Sequence, residues 1–189
     1  YIVTEFVYPD GSKADFELSI QPVPEGLFVL SMDITAKKQA EAQKEFDANN
    51  LNALINNTND FMWSLDTQFR LITSNKAFDK MVEEITGKAP IKGAVMETNG
   101  YSEAQIQRFL VYYDLAFSGQ SFTDIYFDHN MKASWHEVSF SPIFEGDVVI
   151  GTACYSRNIT ERKKTEEQIR KTNERFELVV SATNDVIWD

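Results

Sequence analysis

Between Ser102 and Gly119 one set of apolar residues falls at Ile106, Phe109, Leu110, Tyr113 and Phe117. That i, i+3, i+4, i+7, i+11 spacing lays one stripe along an α-helix. Ser102 with Gln105 three residues later forms a capping box, in which each side chain serves a backbone amide of the other residue. Gly119 ends the helix. The same period marks a shorter helix after Ser74-Asn75, through Phe78, Met81, Val82 and Ile85, and either Ser74 or Asn75 is placed to cap its first amides. Gly87, Pro90 and Gly93 then break the helical pattern. Ahead of these, residues 46–60 carry Leu51, Leu54 and Ile55 on one face, a third short helix. Elsewhere the helical period gives way to short apolar runs. Residues 61–66 and 69–75 flank the turn-like Asp66-Thr67-Gln68 and predict a hairpin. Residues 121–130, 132–144 and 148–159 predict three more strands, separated by Asn130-Met131 and Glu145-Gly146-Asp147. Strand, strand, helices, three strands with short turns is an α+β order: an antiparallel sheet with helices gathered on one face.

The pattern also repeats. Asp33-Ile34-Thr35 returns as Asn158-Ile159-Thr160, Glu41 and Gln43 as Glu166 and Gln168, and Thr58-Asn59-Asp60 with Trp63 as Thr183-Asn184-Asp185 with Trp188, all at an offset of 125. Upstream, Glu17, Ser19 and Pro22 match Glu137, Ser139 and Pro142 at an offset of 120, as do Glu25-Gly26 and Glu145-Gly146. The five-residue difference is expected in the last strand or its turn. A period of this length exceeds the roughly 20 to 50 residues of solenoid units and suits a small domain with a connecting helix. The predicted division is residues 1–35 as the last strands of a preceding copy, 36–46 as a helical linker, 47–160 as a complete domain, 161–175 as a second linker and 176–189 as the start of a following copy. The chain then reads as a segment of a longer protein, beginning in mid-strand at Tyr1. An edge pairing of residues 186–189 with residues 27–34 is a further expectation.

Composition narrows the function. The 189 residues are 43% apolar with 14 Phe, 7 Tyr and 3 Trp, and the formal charge is −11. Such a field repels phosphate backbones and anionic lipid heads, so neither nucleic acid nor direct membrane contact is expected. Cys154 is the single cysteine, which excludes a disulfide framework and points to a reducing, cytoplasmic setting. No apolar run approaches the roughly 20 residues of a membrane-spanning helix. Gly87-Lys88 lacks the flanking residues of a phosphate-binding loop, and His129, His136 and Cys154 lack metal-ligand spacing. The segment is therefore expected to have no catalytic activity of its own.

The element order, Asn75 opening the helix after the second strand, and the stretch SRNITERKKTEEQI after the last strand together resemble the PAS family of sensory domains. The resemblance spans nearly the whole chain, and its most specific pieces are the triplets Asp33-Ile34-Thr35 and Asn158-Ile159-Thr160, each followed by a charged helix. It implies a five-stranded antiparallel sheet in the order 2-1-5-4-3, helices covering one face, a small-molecule pocket between them, and output through the helix that leaves the last strand. Tandem copies look most like the sensory half of a bacterial histidine kinase; a ligand-free scaffold, or the sensory part of a diguanylate cyclase or transcriptional regulator, are the alternatives, with a flavin-dependent enzyme last. Haem-binding members use a histidine on the long helix, and residues 102–118 contain none. Photosensor members carry a reactive cysteine ahead of a helix, whereas Cys154 lies in the last strand. Neither haem nor covalent flavin is expected, and the cofactor stays unnamed. Trp63, Asn75, Phe78, Phe109, Tyr113, Tyr126, His136 and Cys154 are the candidate pocket residues, with plain core packing as the competing reading.

At the exit motif, Asn158 is placed to accept from the amide of Thr160 or Glu161, with Glu161 reaching back as in a capping box. In the second charged helix Glu166 and Arg170, and Glu167 and Lys171, pair at i, i+4. Ile169 and Phe176 stand one heptad apart, with Thr165, Thr172 and Val179 at the other seam position. So polar a seam pairs weakly alone, and a homodimer would need help from the domains.

Overall fold

The structure is a computed structural model that describes residues 1–129 and 133–184, with side chains to residue 181. It divides into two units, Tyr1–Leu54 and Ile55–Asp189. In the first, β1 (Ile2–Val7), β2 (Lys13–Val23) and β3 (Gly26–Asp33) form an antiparallel meander in that order. Its side chains are mostly exposed, Leu27, Leu30 and Met32 among them, and Ala14 is buried. The helix α1 (Thr35–Asn56) comes next and runs past the unit boundary.

The second unit contains β4 (Phe61–Asp66), β5 (Leu71–Ser74), α2 (Lys76–Thr86), α3 (Glu103–Phe117), β6 (Phe122–Asp128), β7 (Ser134–Glu145), β8 (Val148–Asn158) and α4 (Thr160–Asn184). The five strands form one antiparallel sheet in the order β5-β4-β8-β7-β6. Trp63 stands opposite Cys154, and Phe140 opposite both Cys154 and Phe122. Because successive strand residues face opposite sides, Ser134, His136, Val138 and Phe140 all turn to the inner face of β7 and are buried. Of these, Val138 and Phe140 join Trp63, Leu65, Phe78, Val82 and Tyr112 in the core.

Local chemistry fixes the helix starts. The Asn75 side chain is fully buried; its Oδ1 accepts from the amides of Phe78 (3.0 Å) and Met62 (3.1 Å), and its Nδ2 donates to the carbonyls of Ile55 (2.9 Å) and Asp60 (2.8 Å). One residue thus caps α2 and ties the preceding chain to β4. The Ser102–Gln105 capping box of α3 is formed. Between the two helices an irregular segment is stitched to the edge of the sheet: Leu71 donates to Ala94 O (2.9 Å), Gly93 to Leu71 O (2.7 Å) and Met96 to Phe69 O (3.0 Å). Its far end returns under α2 at Gly100, where φ is +88° and a Cβ would stand 2.3 Å from the carbonyl oxygen of Ile85. Only glycine fits there without movement.

Three expectations change. The stripe Leu51, Leu54, Ile55 does not form the core of a short separate helix: it is the end of α1, which buries no residue, and Leu51 and Leu54 are exposed. The predicted divisions at 46/47 and 175/176 fall inside continuous helices, since neither stretch contains the Gly or Pro that would interrupt it. The five-residue difference between repeats does not sit in one strand or turn. From the residue that holds the following helix to the hairpin turn, Trp135 to Glu145 is two residues longer than Asp15 to Val23, while Val148–Asn158 is three longer than Gly26–Asp33. The one-residue mismatch between the arms is absorbed as a register shift at Ile143/Phe144, a β-bulge. The turn expected at Asn130-Met131 and the pairing expected for residues 186–189 lie outside the described residues.

Candidate functional site

Two features meet on the sheet of the second unit: a cavity and the junction that starts α4. The junction is built from the repeated triplet. Asn158 Oδ1 accepts from the amide of Thr160 (2.9 Å), the Thr160 hydroxyl oxygen accepts from the amide of Trp135 (2.9 Å), and the amide of Ile159 donates to Trp135 O (2.8 Å). Ile159 O then takes the first helical bond, from Lys163 (2.9 Å). The amides of Trp135, Ile159, Thr160 and Lys163, at the strand end and the helix start, are thereby paired. Glu161 does not supply the reach expected of it: its carboxylate accepts from Lys164 (2.8 Å) further along the helix.

The first unit holds the same clasp. Asp33 Oδ1 accepts from Thr35 N (2.9 Å), Thr35 Oγ1 from Asp15 N (2.8 Å), Ile34 N donates to Asp15 O (2.8 Å), and Ile34 O accepts from Lys38 N (2.9 Å). Residues Asp33, Ile34 and Thr35 thus stand in the places of Asn158, Ile159 and Thr160.

The cavity, of about 370 Å³, lies between α2, α3 and the inner sheet face. Its volume is within the range that holds small ligands. Aromatic rings are a large part of the lining. Trp63 stacks on Phe78 at 4.8 Å and its Nε1 donates to the Tyr113 hydroxyl (3.0 Å), which holds the indole in one orientation. Phe109 meets Trp63, Tyr113, Tyr126 and Phe140 at centroid distances of 6.0 to 6.4 Å. The stitched segment supplies the outer wall through Val95, Met96, Glu97, Thr98 and Tyr101.

The inner sheet face changes character along its length. Toward the hairpin turn it is Phe140, Thr152 and Cys154; toward the start of α4 it is Asp128, Ser134, His136 and Ser156, all buried. Ser134 Oγ lies 2.8 Å from His136 Nε2, and Ser156 Oγ 3.4 Å from His136 Nδ1. Gln105 accepts through Oε1 from the amide and hydroxyl of Ser102 and donates through Nε2 to Asp128 Oδ2, each at 2.9 Å. Gln105, Asp128 and Ser156 line the cavity.

Burial sets the protonation states. It holds the His136 imidazole below its usual range, against the opposing pull of Asp128. It raises the Tyr101 phenol to about 12 and pushes those of Tyr113 and Tyr126 well up. The Cys154 thiol is raised by burial too, so the thiolate that a nucleophile or an adduct requires is disfavoured. Among the described residues no group of three His, Cys, Asp or Glu side chains is placed to hold a metal ion. Among the described residues no histidine or cysteine lines the cavity, and the donor set fits neither haem iron nor a cysteinyl flavin.

Of the candidate residues, Trp63, Phe78, Phe109, Tyr113 and Tyr126 line the cavity. Asn75, His136 and Cys154 do not. Asn75 is spent on backbone caps, His136 is held between the Ser134 and Ser156 hydroxyls, and Cys154 faces Thr152 at 3.8 Å. The residues sequence reasoning missed are Gln105, Asp128 and Ser156 at the polar end, Phe61, Leu65, Phe69, Met81, Ile106 and Leu110 in the body, and the whole outer wall. Gln105 was identifiable as a cap partner, but nothing in the spacing announced its second role. No helix among the described residues is long and apolar enough to cross a membrane.

No protein-family model and no curated protein sequence matches the chain. Solved structures do match. A phage VqmA–DPO complex aligns with a TM-score of 0.51 at 16% identity, covering 75% of this chain and 68% of that one. The PAS domain of Bordetella pertussis BvgS aligns at 0.47 and 14% identity over 68% of this chain and 98% of its own. A PAS domain from Colwellia psychrerythraea aligns at 0.44 and 17% identity over 60% and 98%. At these identities the likeness is one of fold alone.

Proposed function

We propose that this chain is a sensory and relay segment of a multi-domain bacterial signalling protein, most simply a cytoplasmic sensor histidine kinase. The cavity of the second unit takes a small molecule without covalent attachment, and its occupancy is passed to α4. The observation that carries this is positional: Ser156, in the cavity wall, is two residues from Asn158, and Trp135, which grips Ile159 and Thr160, precedes the buried His136. A ligand that shifts β7 against β8 acts directly on the bonds that start the helix. The segment has no catalytic role of its own in this reading. The three strands of the first unit, with the same clasp at their end, are the close of a preceding copy, and residues 176–189 open a following one.

Exposed apolar residues favour a second role alongside the first. Phe46, Leu51 and Leu54 on α1, and Ile169, Phe176 and Val179 on α4, are exposed in the single chain, and a homodimer would cover them. A scaffold that only dimerises, without a ligand, needs those surfaces and not the cavity. Hydrogen exchange across residues 160–167, measured with the cavity empty and filled, separates the two. Relay requires protection in the first turn of α4 to change on filling; unchanged exchange with a demonstrably filled cavity leaves only the scaffold.

A further inference from the structure

We infer that the cavity selects a neutral molecule carrying a hydrogen-bond acceptor, most simply an aryl ketone, whose carbonyl oxygen receives the hydroxyl protons of Tyr113 and Tyr126. This rests on the reading that the cavity holds a ligand, and it names the chemistry of that ligand. The tyrosines of the second unit sort by position. Tyr112 and Tyr155 do not line the cavity, and their hydroxyls donate to the carboxylates of Asp124 and Asp60. Tyr101, Tyr113 and Tyr126 line it. Among the described residues, none of these three hydroxyls donates to oxygen or nitrogen. Tyr101 has the Met81 sulfur at 3.7 Å, a weak acceptor, and Tyr113 and Tyr126 have none. The three come from different elements: the outer wall, α3 and β6. Burial above all keeps their phenols protonated; charge on Tyr101 or Tyr126 would raise Tyr113 further, and charge on Tyr101 would raise Tyr126. The hydroxyls are therefore donors within electrostatic reach of one another.

Trp63 decides which way the ligand's hydrogen bond runs. An indole N–H only donates, and Trp63 Nε1, at 3.0 Å, takes the acceptor side of the Tyr113 oxygen. What Tyr113 has left to offer is its proton. A buried donor without a partner is costly, and an acceptor on the ligand relieves that cost. An apolar molecule does not relieve it, and a cation such as an amidinium brings only further donors. An anion accepts, but among the described residues no Lys or Arg lines the cavity, and a buried charge without an opposite charge costs more than a neutral acceptor does. The aromatic body favours a flat ring stacked or edged against Trp63 and Phe109.

The test uses four probes of one shape, a phenyl ring bearing a flat branched group: acetophenone, α-methylstyrene, benzoate and benzamidine. Each is titrated into the whole chain, isotope-labelled at tyrosine Cζ and at the backbone amides, and followed by NMR. Acetophenone is expected to bind at least about fivefold more tightly than α-methylstyrene, the size of one net hydrogen bond, and more tightly than benzoate or benzamidine. Acetophenone and α-methylstyrene should differ in their effect on the Cζ resonances of Tyr113 and Tyr126, and agree at those of Tyr112 and Tyr155, whose protons are already given. Tyr113→Phe and Tyr126→Phe assign the resonances, and the ranking needs neither variant. Equal binding of acetophenone and α-methylstyrene, Cζ resonances of Tyr113 and Tyr126 that respond alike to both, or tighter binding of benzoate or benzamidine overturns the acceptor assignment while the ligand-binding reading stands. If none of the four shifts the amide resonances of Trp63 and Phe109, both readings fall.

Discussion

The junctions after β3 and after β8 have the same hydrogen bonds and different surroundings. In the first, the residue that clasps the triplet is Asp15, which also accepts from Lys38 Nζ at 2.8 Å, and Ile34 is half-buried. In the second it is Trp135, with Lys163 Nζ 5.8 Å above its ring, and Ile159 is 3% exposed. Lys38 and Lys163 share the 125-residue offset, so one cation serves a carboxylate in one copy and an aromatic face in the other. The clasp itself needs only backbone groups of the partner strand, an Asx oxygen and a threonine hydroxyl. What its side chains rest against can change without changing how a helix begins.

The sharpest test of that separation is the isoleucine. Ile159→Ala should cost the second unit about 2 to 4 kcal/mol, the range for emptying a buried site, read from the urea midpoint by the fluorescence of Trp63 and Trp135. Ile34→Ala should cost about 1 kcal/mol or less. Equal losses would mean that burial and clasp are not separable. A smaller and symmetric effect is expected at the threonines. Thr35→Val and Thr160→Val each remove the acceptor for one strand amide, worth about 1 kcal/mol, so exchange of the Asp15 and Trp135 amides should quicken by about five- to tenfold in the matching variant. A response at only one of them would break the equivalence.

The smallest effect is one of pH. Hydrogen bonding from Thr35, its hydroxyl and then its amide, holds Asp33 below its ordinary value of 3.8. A depressed carboxyl stabilises fully above its unfolded value, and that contribution disappears as pH falls through the lowered folded value. The Thr35 amide resonance should therefore shift below about pH 4, while that of Thr160, held by the uncharged Asn158, should not. Asp33→Asn should remove the shift and Asn158→Asp should install it.

Much of this was legible in the sequence, for identifiable reasons. The clasp, the Asn75 cap and the Ser102–Gln105 box act over two or three residues, so spacing alone exposes them. The stripe on α3 was legible as a stripe, yet Ile106, Phe109 and Tyr113 are only half-buried, because they face the cavity and not solid core. Asp128 and Ser156 sit at alternating strand positions where polar residues ordinarily face water, and only the closed sheet shows them turned inward. His136 and Cys154 are on the inner face, but their neighbours there are Ser134, Ser156 and Thr152, and neither lines the cavity. The outer wall has no period to read, since it is held by backbone bonds to Leu71 and Phe69.

That wall has a consequence for how such a domain diversifies. Its return under Ile85 admits glycine alone, and its start is stitched to the sheet by main-chain groups that any residue supplies, while its interior side chains belong to no helix or strand. Substitutions at Val95 and Thr98, both exposed, can therefore retune which molecule is admitted at little risk to folding. Gly100, by contrast, is where a single added methyl would unseat the whole boundary.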